Sequence, residues 1–282
     1  MDTDIKLSKA KNMVCCVISV ALLCILLFPL YWIFVTSIKT EKEIFQIPPT
    51  FWPEVLNGKS YLAQVKRGDF NMFRSFGNSM VISIGAMAIS IVLAVPASYG
   101  IARYHFRGKR AVVLGFLVTQ MLPVSVLLTP LFITFQKMHL YNTWWSTVLS
   151  DATIGIPFSV LILKNFFAAI PKELEEASYI DGCNKFTGFI KVLIPIAKPG
   201  VVVCGVFSFL YGWGDLAYGM TFILDQEKRP ITAGIFNFIG QYGTKWSYLT
   251  AFAVVTIIPV ALIFILMQKY IISGMTSGAV KG

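Results

Sequence analysis

The chain has 282 residues, of which 56% are hydrophobic and 13% are charged, and its mean hydropathy is +0.70. This apolar composition lies outside the range of soluble globular proteins and indicates an integral membrane protein. The formal net charge is +10, but no basic helix with interleaved aromatic residues and no nucleic-acid-binding module is present. Contact with anionic lipid headgroups explains the charge, and no nucleic-acid partner is expected.

Six apolar stretches are long enough to cross a bilayer, since a hydrocarbon core of roughly 30 Å needs about 20 apolar residues per helix. In chain order they cover 13–37, 75–102, 111–135, 146–169, 196–224 and 247–272. We therefore predict an all-α membrane protein with six transmembrane helices in a single domain, 1–282. Basic residues in the connections, above all at 103–110, favour cytoplasmic termini by a thin margin.

Each predicted span contains at least one proline. A proline inside a helix removes a backbone hydrogen bond and kinks the helix, which suits a protein that changes shape. The alternative is that proline is simply common in membrane helices. The prolines are Pro29, Pro96, Pro123, Pro130, Pro157, Pro199 and Pro259.

Two acidic residues lie within the predicted spans, Asp151 in the fourth and Asp215 in the fifth. An ionisable group at membrane depth is expected to face a cavity or a polar partner. We predict that these residues, with Tyr211 and Trp213, are candidates for lining a substrate path. A structural polar contact is the alternative for each aspartate.

The segment 171–195 is the only long polar, helix-forming stretch between spans. Pro171 suits a helix start, and Glu173, Glu175 and Glu176 place negative charge in the first turns, where the helix dipole favours it. Gly182 is suited to end the helix. Small side chains at Ala177 and Ser178 would let another surface approach closely, although an amphipathic helix lying on the membrane remains an alternative.

Motifs for catalysis or metal binding are absent from the sequence. It contains no phosphate-binding G-x-x-x-x-G-K-[ST], no G-x-S-x-G and no H-E-x-x-H. His105 and His139 lie in different connections, and the cysteines form no C-x-x-C pair. We expect no catalytic residue, no metal site and no cofactor bound by this chain.

Glu176-Ala177-Ser178, followed by Gly182 and then by Val192, Ile194 and Pro195, resembles the E-A-A, G, I-x-L-P signature of ATP-binding-cassette importer permeases. Ser, Val and Ile replace Ala, Ile and Leu, and these small departures preserve shape. The run 102–109 is similar to the basic loop between the second and third spans of carbohydrate importers. The region 130–143 is similar to the end of their third span.

The resemblance implies a type I importer permease fold with a cytoplasmic coupling helix in the cytoplasmic membrane. It implies a second homologous permease, two ATPase subunits that bind ATP and Mg²⁺, and an extracytoplasmic sugar-binding protein. It also implies which residues contact or position the ATPase: Glu175, Glu176, Ala177, Ser178, Asp181, Gly182 and Pro195.

The tail 273–282 resembles the C-terminus of the maltose-type subunit that reaches into the ATPase interface. The resemblance implies an ATPase contact through Thr276, Ser277, Gly278 and Lys281. It makes a malto-oligosaccharide the first candidate substrate, with other oligosaccharides or a sugar derivative such as glycerol phosphate left open. The outer connection 225–246 is expected either to contact the binding protein or to be a plain loop.

Two other functions remain as alternatives. A secondary, ion-coupled transporter would use buried coupling carboxylates, for which Asp151 and Asp215 are the only candidates, and internal repeats, of which none is clear. A membrane-embedded enzyme would need a nucleophile, metal or acid–base cluster, and none is visible. In the fifth span, Gly214, Leu216 and Gly219 depart from the W-N-[DE]-F-x-x-P-like run of many relatives, so the resemblance assigns no pore role there.

Overall fold

The computed structural model describes residues 2–66, 71–240 and 243–279, and most of these residues are helical. The predicted all-α class is confirmed. The helices are α1 (Asp2–Ser37), α2 (Glu41–Ile44), α3 (Lys59–Lys66), α4 (Met72–Arg103), α5 (Lys109–Gln120), α6 (Val124–Lys137), α7 (Trp144–Ala169), α8 (Lys172–Ile180), α9 (Lys185–Gly188), α10 (Ile194–Gly214), α11 (Ala217–Phe222), α12 (Ile231–Gly234) and α13 (Trp246–Ala279). Two short antiparallel strands are β1 (Ile239–Gly240) and β2 (Gly243–Thr244).

Among the described residues, five helices are long and apolar enough to cross a membrane, or up to six if one bent pair counts as a single span. Each of these helices overlaps one of the predicted spans, and the bent pair overlaps the remaining one. The five are Asn12–Ser37, Met72–Arg103, Trp144–Ala169, Lys185–Gly214 and Trp246–Gln268.

The third predicted span, 111–135, is two helices and not one. The helices α5 and α6 meet at an angle of 102°. Pro123 explains the break, because it has no N–H to donate and its ring disfavours a helical conformation at Leu122. Pro123 itself is extended, with φ −68° and ψ 141°. The prediction of one continuous third helix is therefore corrected to a bent pair.

The fifth predicted span, 196–224, is also divided. The helix α10 ends one residue before Asp215, which is extended with ψ 132°, and α11 begins at Ala217. The Asp215 carboxylate accepts hydrogen bonds from the backbone N–H groups of Tyr218 at 3.2 Å and Gly219 at 2.9 Å. These bonds satisfy donors at the start of α11 as a helix N-cap does, so the break is stabilised locally.

The chain divides into two compact units. In the first unit, the Glu41 carboxylate joins segments that are distant in sequence, because it accepts hydrogen bonds from the Ser247 N–H at 2.9 Å and the Ser247 hydroxyl at 2.7 Å. Gln64 donates to the backbone carbonyl of Tyr248 at 3.0 Å. The first unit comprises Met1–Lys66 and Ile235–Val255, and the second comprises Arg67–Gly234 and Thr256–Gly282.

The core of the second unit is formed by α4, α7 and α10. Buried apolar side chains from all three helices, including Val95, Leu163 and Cys204, form one cluster. Small residues let helix backbones approach closely in a membrane, where packing and not water exclusion holds helices together. Along α4 a series of serines is buried: Ser75, Ser79, Ser83, Ser90 and Ser98.

The start of the predicted outer loop 225–246 is held to the second unit by hydrogen bonds. Asn142 Oδ1 accepts from two successive backbone N–H groups, and the one from Asp225 is 3.0 Å long. Trp144 Nε1 donates to the carbonyl of Lys228 at 3.1 Å. The side-chain hydrogen bond from Lys228, at 2.8 Å, and the contact with Asn142 lower the pKa of the exposed Asp225 carboxyl.

Candidate coupling segment and translocation path

The polar segment forms the helix that the sequence predicts. The helix α8 begins after Pro171, which is extended with φ −56° and ψ 139°, and runs from Lys172 to Ile180. Gly182 follows with φ +87°, a left-handed conformation that favours glycine and ends the helix. The next helix, α9, begins after Asn184, whose side chain accepts a hydrogen bond from the Thr187 N–H at 2.8 Å.

Glu175 ties α8 to the end of α4. Its Oε1 accepts hydrogen bonds from the hydroxyls of Tyr99 at 2.6 Å and Tyr179 at 2.9 Å. Its Oε2 lies 3.0 Å from Arg103 Nε, and both side chains are largely buried, at 14% and 8% exposure. Arg103 also donates to the carbonyl of Ile170 at 2.9 Å. A buried charge pair with these additional hydrogen bonds fixes α8 on α4 in one geometry.

Tyr179 is part of the same network from α8 itself. Partial burial, followed by the hydrogen bond to Glu175, raises the pKa of the Tyr179 hydroxyl. The hydroxyl is therefore protonated at neutral pH and acts as a donor to the carboxylate.

Ser178 lies inside this segment, which differs from its predicted place in an open patch. It is 4% exposed, and its hydroxyl donates to the Glu175 carbonyl at 2.7 Å. A Cβ placed on Gly188 would lie 2.8 Å from Ser178 Oγ, so glycine allows α9 to pack here. The surface that approaches Ser178 closely is therefore this chain's own α9.

The opposite side of α8 is open. Glu176, Ala177, Asp181 and Gly182 are all exposed, and their contact with a partner stays a prediction. Ile180 at the end of α8 is 87% exposed. Phe186 at the start of α9 is 70% exposed. An exposed pair of large apolar side chains beside a charged helix face is typical of a protein–protein contact.

Pro195 lies at the start of α10, directly after a π-helical turn, Phe189–Leu193. Proline has no N–H and crowds the carbonyl four residues earlier, which is that of Lys191. The wider winding accommodates this clash and lets the segment continue into α10. Pro195 is exposed and shapes the connection between α9 and α10.

The interior of the second unit contains polar groups without partners. Asp151 on α7 is 2% exposed, and neither of its carboxylate oxygens has a hydrogen-bond partner among the described residues. Its Oδ2 lies beside Gly212 of α10, since a Cβ added there would be 3.3 Å away. Hydroxyls in the same helix trio that likewise lack a partner within the described ranges are those of Ser83, Ser90, Thr147, Ser159 and Ser208. We call this set, with Asp151, the polar seam.

The other path candidates have different surroundings. Trp213 is 2% exposed, and its Nε1 donates to the Thr256 carbonyl at 3.1 Å. Asp215 binds backbone N–H groups of α11, and its carbonyl accepts a hydrogen bond from the Thr232 hydroxyl. Tyr211 is half-buried and lies beside Phe207, with ring centroids 6.3 Å apart. Asp151 is thus the one of these four side chains whose polar atoms are fully buried and have no partner in the part of the chain described.

The tail candidates lie at the edge of the described residues. The backbone of Thr276, Ser277 and Gly278 continues α13, which extends to Ala279. Their side chains, and all of Lys281, lie outside what the structure describes. Their predicted ATPase contact stays a prediction. Within the described ranges, no group of three or more His, Cys, Asp or Glu side chains could hold a metal ion.

Sequence reasoning missed three features of this region. The contacts of Tyr99 and Arg103 with Glu175 cannot be read from the sequence, because Tyr99 lies 76 positions before Glu175 and Arg103 lies on the same distant helix. The exposed pair Ile180 and Phe186 was also missed. Lys164 was overlooked within the fourth predicted span, although a cation in an apolar stretch is itself a signal of function.

These features define a multi-pass membrane subunit that presents a short, anchored helix at one end. Comparison with known proteins agrees with that class. The family described as the binding-protein-dependent transport system inner membrane component matches residues 86–277. The chain belongs to this family. It is a permease subunit of an ATP-driven importer and not a secondary transporter.

Two curated relatives match most of the chain. The trehalose transport system permease protein SugB of Mycobacterium tuberculosis is 34% identical over 267 residues, covering 91% of this chain and 93% of the relative. The sulfoquinovosyl glycerol transport system permease protein SmoH of Agrobacterium fabrum is 30% identical over 256 residues, covering 91% of this chain and 89% of the relative.

Solved structures share the fold. A bacterial ABC transporter involved in the import of the acidic polysaccharide alginate matches with a TM-score of 0.79 and 21% identity, over 93% of this chain and 96% of that chain. A bacterial alginate ABC transporter in complex with an alginate pentasaccharide-bound periplasmic protein matches with a TM-score of 0.67 and 13% identity, over 94% of both chains.

Proposed function

We propose that this chain is one of two homologous permease subunits of an ATP-driven carbohydrate importer and forms half of its translocation pore. The names of the trehalose and sulfoquinovosyl glycerol relatives support a sugar or sugar derivative as substrate. The alginate transporter captured with a periplasmic protein supports delivery by an extracytoplasmic sugar-binding protein. A malto-oligosaccharide remains the first candidate, and trehalose is an equally direct probe.

The observation that carries the proposal is the two-sided environment of α8. One side is fixed to α4 through Glu175 and Arg103. The other side exposes Glu176, Asp181 and Ile180. A helix that is rigidly held on one side and open on the other can transmit a push from a docked partner into a membrane helix, as coupling between distant sites requires.

We assign the docked partner as one of two ATPase subunits, which bind ATP and Mg²⁺ and perform all the chemistry. The exposed face of α8 enters a cleft of the ATPase, with Ile180 and Phe186 as apolar anchors and Glu176 as the charged contact. This orientation makes the α8 side cytoplasmic and places both termini there. The tail residues Thr276, Ser277, Gly278 and Lys281 provide a second contact with the ATPases.

The translocation path runs beside the polar seam. Asp151 and Tyr211 are the side chains that we assign to the path, since the buried Asp151 carboxyl has no partner among the described residues and Tyr211 is only half-buried. Trp213 and Asp215 instead maintain the shape of α10 and α11 through their backbone hydrogen bonds. Hydration or a sugar hydroxyl would supply the partner that the Asp151 carboxyl lacks inside this chain.

The test is ATP hydrolysis by the complete transporter in lipid, with and without binding protein, together with uptake of trehalose and maltotriose into proteoliposomes. Gly182→Pro should abolish stimulation by the binding protein, because proline cannot adopt φ +87°. Gly182→Asn is the matched control, because asparagine tolerates this conformation. Both variants must assemble with the ATPase for the comparison to count.

A second variant tests the proposed apolar contact of Ile180 with the ATPase. Ile180→Asp should release the ATPase from the purified complex or lower its stimulated activity at least tenfold, while Ile180→Leu should retain both. The proposal fails if the chain alone drives sugar uptake from an ion gradient. If the complete transporter hydrolyses ATP but moves neither sugar, the importer class stays intact and trehalose and maltotriose are removed as substrates.

A further inference from the structure

A large groove lies on the second unit, between α5 and α7 and the connection that precedes α5. Its volume is about 1140 Å³. One wall is apolar and is formed by Ile101 of α4 with Val113, Leu114 and Leu117 of α5. These α5 residues belong to a helix in which no residue is buried. The groove therefore opens onto a surface that this chain leaves exposed.

The other part of the groove is basic. Arg107, Lys109 and Arg110 line it from the connection and the first turn of α5, and Lys164 lines it from α7. No aspartate or glutamate is among its described lining residues. Arg107, Arg110 and Lys164 make no salt bridge with any residue in the described ranges.

Lys164 gives the groove a defined depth. It lies five residues before the end of α7 at Ala169, which corresponds to about 8 Å along a helix. Its neighbour in the groove, Ala168, is one helical turn closer to that end. A lysine at this depth needs an anion or must extend its ammonium toward the membrane surface. The cations of the connection, Arg107 and Arg110, lie at the same membrane end, because α4 ends and α5 begins there.

We propose that this groove binds an anionic phospholipid. The phosphate lies among Lys164, Arg107 and Arg110, and an acyl chain lies along Val113 and Leu117. Two properties together favour a lipid over a soluble anion. The basic part is continuous with an apolar wall of membrane-spanning residues, and the charge is uniformly positive where that wall meets the membrane surface.

The test uses the complete transporter, purified in detergent and titrated with phosphatidylglycerol or phosphatidylcholine, with bound lipid counted by native mass spectrometry. We expect phosphatidylglycerol to bind at least tenfold more tightly than phosphatidylcholine. Lys164→Met combined with Arg110→Gln should remove this preference. Lys164→Arg should retain it, and Lys198→Met, which removes an exposed cation on α10 outside the groove, should leave it unchanged.

A photo-crosslinking residue at position 117 distinguishes lipid from protein in the groove. Leu117 is 47% exposed, so the probe fits without displacing core side chains. Crosslinks to phospholipid support the proposal. Crosslinks to the second permease would overturn it by showing that a protein covers the groove. Equal binding of the two lipids by the unaltered transporter, or full phosphatidylglycerol preference in the double variant, would also overturn it.

Discussion

Two polar regions of the second unit differ in how their buried groups are paired. At the contact between α8 and α4, which we call the α8 anchor, the Glu175 carboxylate is surrounded by two tyrosine hydroxyls and the Arg103 guanidinium. In the polar seam, the Asp151 carboxyl and the five hydroxyls named above have no described partners. Because an unpaired buried polar group is costly, the two regions cannot serve the same purpose.

The difference distinguishes a rigid connection between two helices, the α8 anchor, from a translocation path, the polar seam. A network in which the carboxylate has both hydrogen-bond and ion-pair partners holds one arrangement and transmits movement, which suits the connection between α8 and α4. Unpaired groups at membrane depth need a partner from outside the chain, which suits a surface that water, substrate or a second permease reaches in the assembled transporter. Substitutions in the two regions should therefore have opposite effects on stability.

Breaking the anchor should have the largest effect. Glu175→Ala leaves the Arg103 charge buried without its partner, which typically costs about 3–5 kcal/mol. We expect a lower melting temperature of the purified transporter and loss of its binding-protein-stimulated ATP hydrolysis. Thermal unfolding followed by ATPase assays checks both.

The matched control is Glu173→Ala, which removes an exposed carboxylate from the same helix. It should leave stability and stimulation nearly unchanged, because exposed charges contribute little. If Glu175→Ala behaved like this control, the Glu175 contact would not connect α8 rigidly to α4, and the proposed difference between the two regions would be wrong.

Replacing Asp151 should produce the opposite pattern. Asp151→Leu removes a buried carboxyl with no described partner, so stability should be unchanged or rise by about 1–3 kcal/mol. Uptake should nevertheless fall at least tenfold if the carboxyl lines the path. Proteoliposome uptake and thermal unfolding of the same preparation test the two effects separately.

Its control is Ser150→Ala, the preceding residue, whose hydroxyl is already bonded to the Ser146 carbonyl at 2.7 Å. That change should leave uptake intact. Normal uptake by Asp151→Leu, with normal assembly, would remove Asp151 from the path and make the seam a structural feature.

The sequence predicted much of the fold because hydropathy and proline act locally. The spans, the helix α8 and its end at Gly182 follow from apolar length and from the conformational freedom of one glycine. The break at Pro123 was not predicted, although Pro123 is visible, because most prolines in the predicted spans lie inside helices, as Pro157 and Pro259 do. Whether a proline bends or breaks a helix depends on the neighbours that pack around it.

The candidate site was predicted only in part because its contacts are long-range. The exposed Glu176 and the helix around it follow from a local motif. Neither the pairing of Glu175 with Arg103 nor the burial of Ser178 under Gly188 can be read from spacing, since each joins separate helices. Asp151 and Asp215 looked alike in the sequence, and only their surroundings separate them.

The contact between α8 and α9 allows a substitution that should perturb the position of α8 less than Glu175→Ala does. Gly188→Ala places a methyl group 2.8 Å from Ser178 Oγ. Overpacking costs about 1–3 kcal/mol, and the better helix propensity of alanine returns about 1 kcal/mol. We expect a small loss of thermal stability and a partial loss of ATPase stimulation.

Combining this change with Ser178→Ala tests the cause directly. The double variant should recover most of the lost stability, because it removes the hydroxyl that the new methyl group meets and leaves the Cβ of residue 178 at 3.8 Å. Independent, additive losses would instead mean that the contact between Gly188 and Ser178 does not position α9.

The smallest effect is expected at Asp215, whose role distinguishes a cap from a path residue. Asp215→Ala removes the acceptor for the Tyr218 and Gly219 N–H groups, and loss of such a cap costs about 1 kcal/mol. Asp215→Asn keeps one of the two oxygen acceptors, so it should retain part of the stability of the cap and normal uptake. A path residue that needs its charge would respond differently, because asparagine would then impair uptake as strongly as alanine. Measuring uptake by both variants beside Asp151→Leu therefore shows whether the path depends on one aspartate or on two. An uptake defect in Asp215→Asn would extend the polar seam beyond α10, into the break that precedes α11.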